Sequence, residues 1–423
     1  MAQSFFFLAA LVTLCVLVVE TIPHFDDETY QKLLLDSQSQ VKTVYTSYAG
    51  ITTSRASALI SFFSSCVIIL IILRSTTKLS TSYHRIIFGM SVADVFQSLA
   101  VFCSTWAMPK DMIYRQFEGA VLGNSATCTA QGFAFFTGVN TTLGFNAILC
   151  LYYVCIITFK ISEERFRKCF EPVLFSLAIC FPVLISSRYS MIDKMLPTPN
   201  HFNCVPTPYP YWCVGEESDF CVEGYRSSNT ARLFLLGIYI TNTLTIFSAM
   251  ILVCRTVYCQ GRAIKKYINV TQPRRYINAS QPRRDQNNRN STNTVDQFQY
   301  ETKTVIFQTL GYLGAFMLCQ LFPLASVMSQ EVIKNKTYQQ FHVVLRPLQG
   351  LFNLIIFMGH KVCNNMRRSN SDLTRWQAFC KVLDSSQEEP TLFLSNINIV
   401  GDYNTDCAHG DDISLDASFP DVY

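Results

Sequence analysis

Long apolar runs separated by short polar stretches dominate the chain, recurring at Thr53–Leu73, Ile86–Ala107, Cys128–Phe159, Phe170–Ser187, Leu233–Tyr258, Val305–Met328 and Phe341–Gly359. A run of about 17–25 apolar residues crosses the hydrocarbon core as a helix, because a helix satisfies its own backbone groups where no water can. The pattern predicts an all-α membrane protein, a seven-transmembrane helix bundle over 52–361. Pro182, Pro323 and Pro347 fall inside runs, which neighbouring helices tolerate. An earlier run, Phe5–Val19, is shorter and precedes the acidic stretch Glu20–Glu28. Residues 1–20 read as a signal peptide and 21–51 as an extracellular N-terminal segment. A signal anchor or an extra helix is the alternative, since the basic n-region is missing.

Charge orients the bundle. Arg74, Lys78 and Arg85 flank the first connection, Lys160, Arg165, Arg167 and Lys168 the third, and a dense basic set including Lys265 and Lys266 the fifth. Basic loops stay cytoplasmic, so the N-terminus is expected outside and the C-terminus inside. The long fifth connection, 260–303, holds a tandem duplication, Tyr267–Arg275 followed by Tyr276–Arg284, and its polar composition predicts a disordered loop. Its sequons at Asn269, Asn278 and Asn290 face the cytoplasm and are expected to stay unmodified. Asn335 lies in an outer sequon and is the glycosylation candidate. Leu373, Trp376, Phe379 and Leu383 recur at helical spacing among basic residues, which predicts an amphipathic juxtamembrane helix over 362–383. Residues 384–423 read as a disordered acidic tail. Cys363 and Cys380 flank that helix as palmitoylation candidates.

Composition narrows the function. Only 15% of the residues are charged and 49% are hydrophobic, against about 25% charged in soluble domains. The net charge of +4 is too small to point to nucleic acid. Most of the 17 cysteines lie in apolar runs and act as small hydrophobes. Cys128, Cys204, Cys213 and Cys221 lie in polar stretches instead, and four cysteines allow three pairings. No HExxH, Walker-type loop, GxSxG or Cys/His cluster occurs, so neither an enzyme, nor a metal, nor a cofactor is expected.

Asp94 stands mid-run in the second span, where an ionised side chain costs at least about 2.5 kcal/mol. It calls for partners, and Asn353, Thr142 and Asn146 are the candidates for a polar core. Arg346 is the basic residue inside the last span; it either meets an anionic ligand or acidic partner in the bundle or snorkels to the outer headgroups. Trp106, Phe136, Tyr239, Tyr312 and Phe316 are candidates to line the same cavity, with plain packing as the alternative. Pro323 is expected to kink the sixth span by removing a backbone donor.

Several segments then carry a resemblance. Ser91-Val-Ala-Asp94, Cys128 at the start of the third span and cysteines in the next outer loop resemble heptahelical G-protein-coupled receptors. Pro347-Leu-Gln-Gly-Leu-Phe-Asn353 resembles the cyclic-AMP-receptor and fungal glucose-sensor branch, while His84–Ser91, Cys128–Phe133 and Leu151–Tyr153 look like related algal receptor-like proteins. The resemblance covers about residues 50–365. The chain departs from the rhodopsin-like branch where Tyr152-Tyr153-Val154 replaces the acid-arginine-tyrosine motif, and where Asn353-Leu-Ile-Ile-Phe357 replaces Asn-Pro-x-x-Tyr.

The resemblance implies a plasma-membrane receptor for an unknown extracellular ligand, coupled to a heterotrimeric G protein or similar cytoplasmic transducer. Tyr152, Tyr153, Arg165, Lys265 and Lys266 would face that transducer. It implies a disulfide from Cys128 to Cys213, leaving Cys204 and Cys221 to each other. A polytopic transporter of a small solute is the alternative, and it calls for charges near the midplane and a repeat of helices. Asp94 is the one clear midplane acid, and the repeat lies in a loop.

Overall fold

The computed structural model describes residues 47–110, 120–193, 195–197, 203–206, 225–271, 308, 310–312, 314–325, 335–368 and 377. The expected signal peptide, nearly all of the N-terminal segment, Cys213, Cys221, Asn278, Asn290, Cys380 and the acidic tail lie outside these residues.

Hydrogen-bonding caps, more than hydropathy, set where the helices begin. Helix α1, Tyr48–Arg74, starts ahead of its apolar run because the Ser47 side chain accepts the Gly50 N–H at 3.1 Å. Helix α2, Ser82–Cys103, starts with Thr81 accepting the His84 N–H at 3.3 Å and continues as a 3-10 turn through Ala107. Helix α3, Ser125–Tyr153, opens on a reciprocal capping box between Asn124 and Thr127 and ends in a π-helical turn, Val154–Thr158. A short helix α4, Glu163–Cys169, leads into α5, Glu171–Arg188. An antiparallel pair follows, β1 (Leu196–Pro197) with β2 (Cys204–Val205).

Helix α6 runs Tyr225–Thr271. Its apolar part is Leu236–Cys259, so the helix continues beyond the apolar stretch and corrects the expectation of a disordered loop from 260. A helix bonds its own backbone and needs no apolar surroundings to extend into polar ones. Helix α7, Leu310–Ala325, is shorter than the expected sixth span. Helix α8, Lys336–Leu345, joins α9, Gln349–Arg368, through a 3-10 turn at Arg346–Leu348, where Pro347 withholds a donor.

Six of these stretches are long and apolar enough to cross a membrane: Tyr48–Arg74, Ser82–Ala107, Ser125–Thr158, Glu171–Met191, Leu236–Cys259 and Lys336–Gly359. They support a multi-pass membrane protein. Helix α3 is central, with 78% of its apolar window buried against 22% for Glu171–Met191 at the periphery. It packs on α2, α5 and α6, while α1 packs on α2 and α9. Small residues bring α1 and α9 together: the Gly350 N–H donates to Ser61 Oγ at 3.0 Å, and a Cβ there would meet the Ser61 carbonyl oxygen at 2.7 Å. In lipid, such close backbone approach is a principal source of helix attraction.

Candidate functional site: a buried polar core between two differently tied ends

Because α2 and α3 meet at the loop between Cys103 and Ser125, they run antiparallel. The ends of the bundle can therefore be read from either side of Asp94. Asp94 is buried at mid-helix, and two other helices satisfy its carboxylate. Thr142 of α3 donates its hydroxyl to Oδ1 at 3.1 Å, and Asn353 of α9 donates Nδ2–H to Oδ2 at 3.0 Å. Asn146 donates to the Thr142 carbonyl at 2.9 Å, within its own helix. Three of the four residues expected around Asp94 thus join one three-helix junction, and the fourth braces it. One turn toward the disulfide end, Gln320 of α7 donates to Gln349 of α9 at 2.8 Å, bringing α7 into the same polar layer. Pro323 is buried in α7.

Replacing Asp94 with alanine leaves two buried donors without an acceptor. Each orphan costs about 1–3 kcal/mol in a protein interior, while hydrogen bonds between membrane helices average nearer ~0.6 kcal/mol. A loss of about 1–3 kcal/mol is expected from thermal unfolding in nanodiscs, with Asp94→Asn losing less. Equal midpoints for Asp94→Ala and the wild type would show that the junction contributes nothing.

The end toward Cys103 and Ser125 is closed by the β1–β2 hairpin. Cys128 is bonded to Cys204, with Cα atoms 5.5 Å apart. This corrects the Cys128–Cys213 pairing implied by the resemblance: the short hairpin turns Cys204 directly onto the first turn of α3. Gln131, one turn along α3, fastens the same place. Its Nε2 donates to the carbonyls of Ala100 and Ser104, both at 2.9 Å, and to Asn203 Oδ1 at 3.3 Å, while its Oε1 accepts the Cys204 N–H at 3.3 Å. Ser104 sits at φ 43°, a conformation that only surrounding contacts hold in a non-glycine residue. Sequence reasoning missed Gln131, although a primary amide in an apolar run signals a residue that must find partners.

The expected ligand-lining residues divide. The Arg346 guanidinium carbon lies 4.6 Å from the Phe135 ring centroid, stacked on α3. Buried Tyr239 of α6 is close enough to feel its charge. Phe136 faces a separate cluster with Cys128, Met195, Cys204 and Tyr189, the last at 5.9 Å between ring centroids. Trp106 is partly exposed, with the Arg55 guanidinium 4.0 Å from its ring centroid. Phe316 is buried in the main core.

Tyr312 lies on the other side of Asp94, since its hydroxyl is 3.3 Å from that of Tyr83 in the first turn of α2. It is thereby removed from the cavity of Arg346. Tyr152 and Tyr153, expected to face a transducer, are also buried at this end, Tyr152 against Phe166 with centroids 5.2 Å apart. Their rings fill space between helices where a charged motif would need solvent or a partner.

At the same end Glu171 ties α5 to α2. The Arg85 guanidinium pairs with both carboxylate oxygens, through Nε to Oε1 and through Nη2 to Oε2 at 2.7 Å, and Ser82 Oγ donates to Oε2 at 2.7 Å. Glu163 Oε1 accepts the Ser82 N–H at 2.8 Å, which satisfies an N-terminal donor of α2. Arg165, Arg167 and Lys168 are exposed on α4 beside this network. Lys265 and Lys266 lie in α6 and Cys363 in α9, with side chains outside the described residues. Asn335 is exposed and caps α8, its Oδ1 accepting the Thr337 and Tyr338 N–H groups at 2.9 and 3.3 Å. Among the described residues no group of His, Cys, Asp and Glu is placed to hold a metal ion.

No protein-family model matches the chain, and no curated protein matches it. Among solved structures, the crystal structure of squid rhodopsin aligns with 86% of this chain and 94% of its own at 13% identity, with a TM-score of 0.49.

Proposed function

We propose that this protein is a seven-span receptor similar to G-protein-coupled receptors, carrying an extracellular ligand signal to a cytoplasmic transducer, a heterotrimeric G protein or its equivalent, at the plasma membrane. The observation that carries the reading is the three-helix junction at Asp94. A carboxylate held mid-bundle by one donor from each of two other helices makes their relative positions interdependent. A change in packing at one end is then felt at the other.

Orientation rests on two physical rules that agree. The Cys128–Cys204 bond belongs in an oxidising exterior, and the exposed basic residues Arg165, Arg167 and Lys168 at the opposite end belong in the cytoplasm. Helix α7, Leu310–Ala325, serves as the sixth crossing, with Pro323 as the bend about which its inner half moves. Arg346, stacked on Phe135 and close to Tyr239, offers a charge-complementary anchor for an anionic ligand. The exposed face of α4, with Lys265 and Lys266 of α6, supplies the basic docking surface.

The test is nucleotide exchange by purified G-protein subunits from the same cell, added to the protein in nanodiscs as candidate ligands are supplied. Exchange is expected to accelerate with the wild type and to fall when Pro323 is replaced by alanine. Solute flux into proteoliposomes without exchange on any subunit would overturn the receptor reading in favour of a transporter.

A further inference from the structure

Four buried polar side chains gather at the cytoplasmic end of the bundle: Tyr83 of α2, Tyr153 of α3, Tyr312 of α7, and Gln308 just before α7. Gln308 Nε2 donates to Tyr83 Oη, and Tyr83 Oη lies 3.3 Å from Tyr312 Oη. A phenol has one proton and two lone pairs, so Tyr83 can accept from Gln308 and still share a proton with Tyr312. These bonds tie the inner end of α7 to the first turn of α2. Tyr153 is buried beside them, only 1% exposed, and its hydroxyl has no hydrogen-bond partner. Tyr312 is nonetheless close enough to act on it electrostatically.

An unpaired buried hydroxyl is a standing penalty, and Tyr312 is the neighbour able to relieve it. Tyr83 and Tyr153 therefore compete for one partner, and satisfying either leaves the other short. That is the requirement for two discrete packings of one helix end.

We propose that Tyr312 is a shared partner that makes the inner end of α7 bistable: bonded to Tyr83 in the conformation described here, and to Tyr153 of α3 after the inner turn of α7 shifts. The latch is built from neutral groups, so its balance is set by hydroxyl geometry, with no dependence on ionic strength. It deepens the receptor reading and rests on it for its purpose, since a transducer would sense which packing α7 adopts.

Distances between spin labels test it directly. Genetically encoded labels at the exposed positions Leu310 and Val173 avoid the native thiols, and double electron–electron resonance in nanodiscs then reports the fraction of the shifted packing. Tyr83→Phe keeps the ring and removes the competing hydroxyl, so the ratio of shifted to unshifted packing is expected to rise at least threefold. Adding Tyr153→Phe to that variant is expected to lower the ratio again. No rise with Tyr83→Phe, or a double variant whose ratio stays up or climbs further, overturns the proposal. General loosening of the packing would move both variants the same way. The measurement needs no transducer, so absent nucleotide exchange alongside the expected distance changes would sink the receptor reading and leave the latch standing.

Discussion

Serine at position 204 is expected to destabilise the protein by about 2–4 kcal/mol, whereas Cys213→Ser is expected to leave the bond to Cys128 intact. The Cys128–Cys204 bond closes a loop with a sequence separation of 76 residues, spanning α3, α4 and α5. Long loops lose the most chain entropy on closure, but a membrane protein keeps much of its helix when its tertiary packing is lost. The gain should therefore lie toward the lower end of that range. Cys204→Ser should also release the hairpin from Gln131, because the Cys204 N–H is one of the groups that Gln131 holds. Thermal unfolding gives the magnitude, and peptide mapping without reduction gives the pairing. A mapped Cys128–Cys213 link would contradict the structure directly.

Glu171→Ala is expected to have an effect of similar size from the cytoplasmic end. It leaves the Arg85 guanidinium and the Ser82 hydroxyl without their shared acceptor. Removing one member of a buried ion pair costs about 3–5 kcal/mol, since the remaining charge stays desolvated. Arg85 is 21% exposed, so water recovers part of that, and about 2–3 kcal/mol is the expected loss. Glu171→Gln keeps an acceptor and should lose less. Exchanging the pair as Arg85→Glu with Glu171→Arg should recover part of the single-variant loss, measured as a double-mutant cycle on unfolding midpoints. Additive losses across that cycle would mean the two side chains act independently, against the geometry. The pair holds α5 to α2 beside the basic face of α4, so the same substitutions are expected to weaken transducer coupling.

These two networks differ in how visible they were beforehand. Cys128 was recognisable as a disulfide partner because it stands at the polar start of an apolar run. Its partner was not, because three cysteines follow in polar stretches and chain spacing carries no information about where a hairpin folds. Asp94 and its partners were legible for the opposite reason. A carboxylate in an apolar run must be met by polar side chains from other runs, and Thr142 and Asn353 are among the few on offer.

Glu171 escaped notice because it sits at a helix start, where an acid needs no partner to be tolerated. Tyr83, Tyr312 and Tyr153 escaped because tyrosine packs equally well as a plain hydrophobe. The same ambiguity put Tyr312 in the wrong half of the bundle and Tyr152 and Tyr153 on its surface. An apolar run says how deep a residue lies only once the helix axes are placed.

By itself, then, the chain determined its helices. Bilayer thickness sets a length, backbone hydrogen bonding requires a helix, and both are readable from consecutive residues. The tertiary structure decided which helices meet and which side chains pair: Cys128 with Cys204, Arg85 with Glu171, and Tyr83 with Tyr312. Inside a bilayer every helix face is apolar enough for lipid, so hydropathy does not distinguish the face that packs from the face that does not. Close fit and a few hydrogen bonds choose among them, and those depend on residues far apart in sequence.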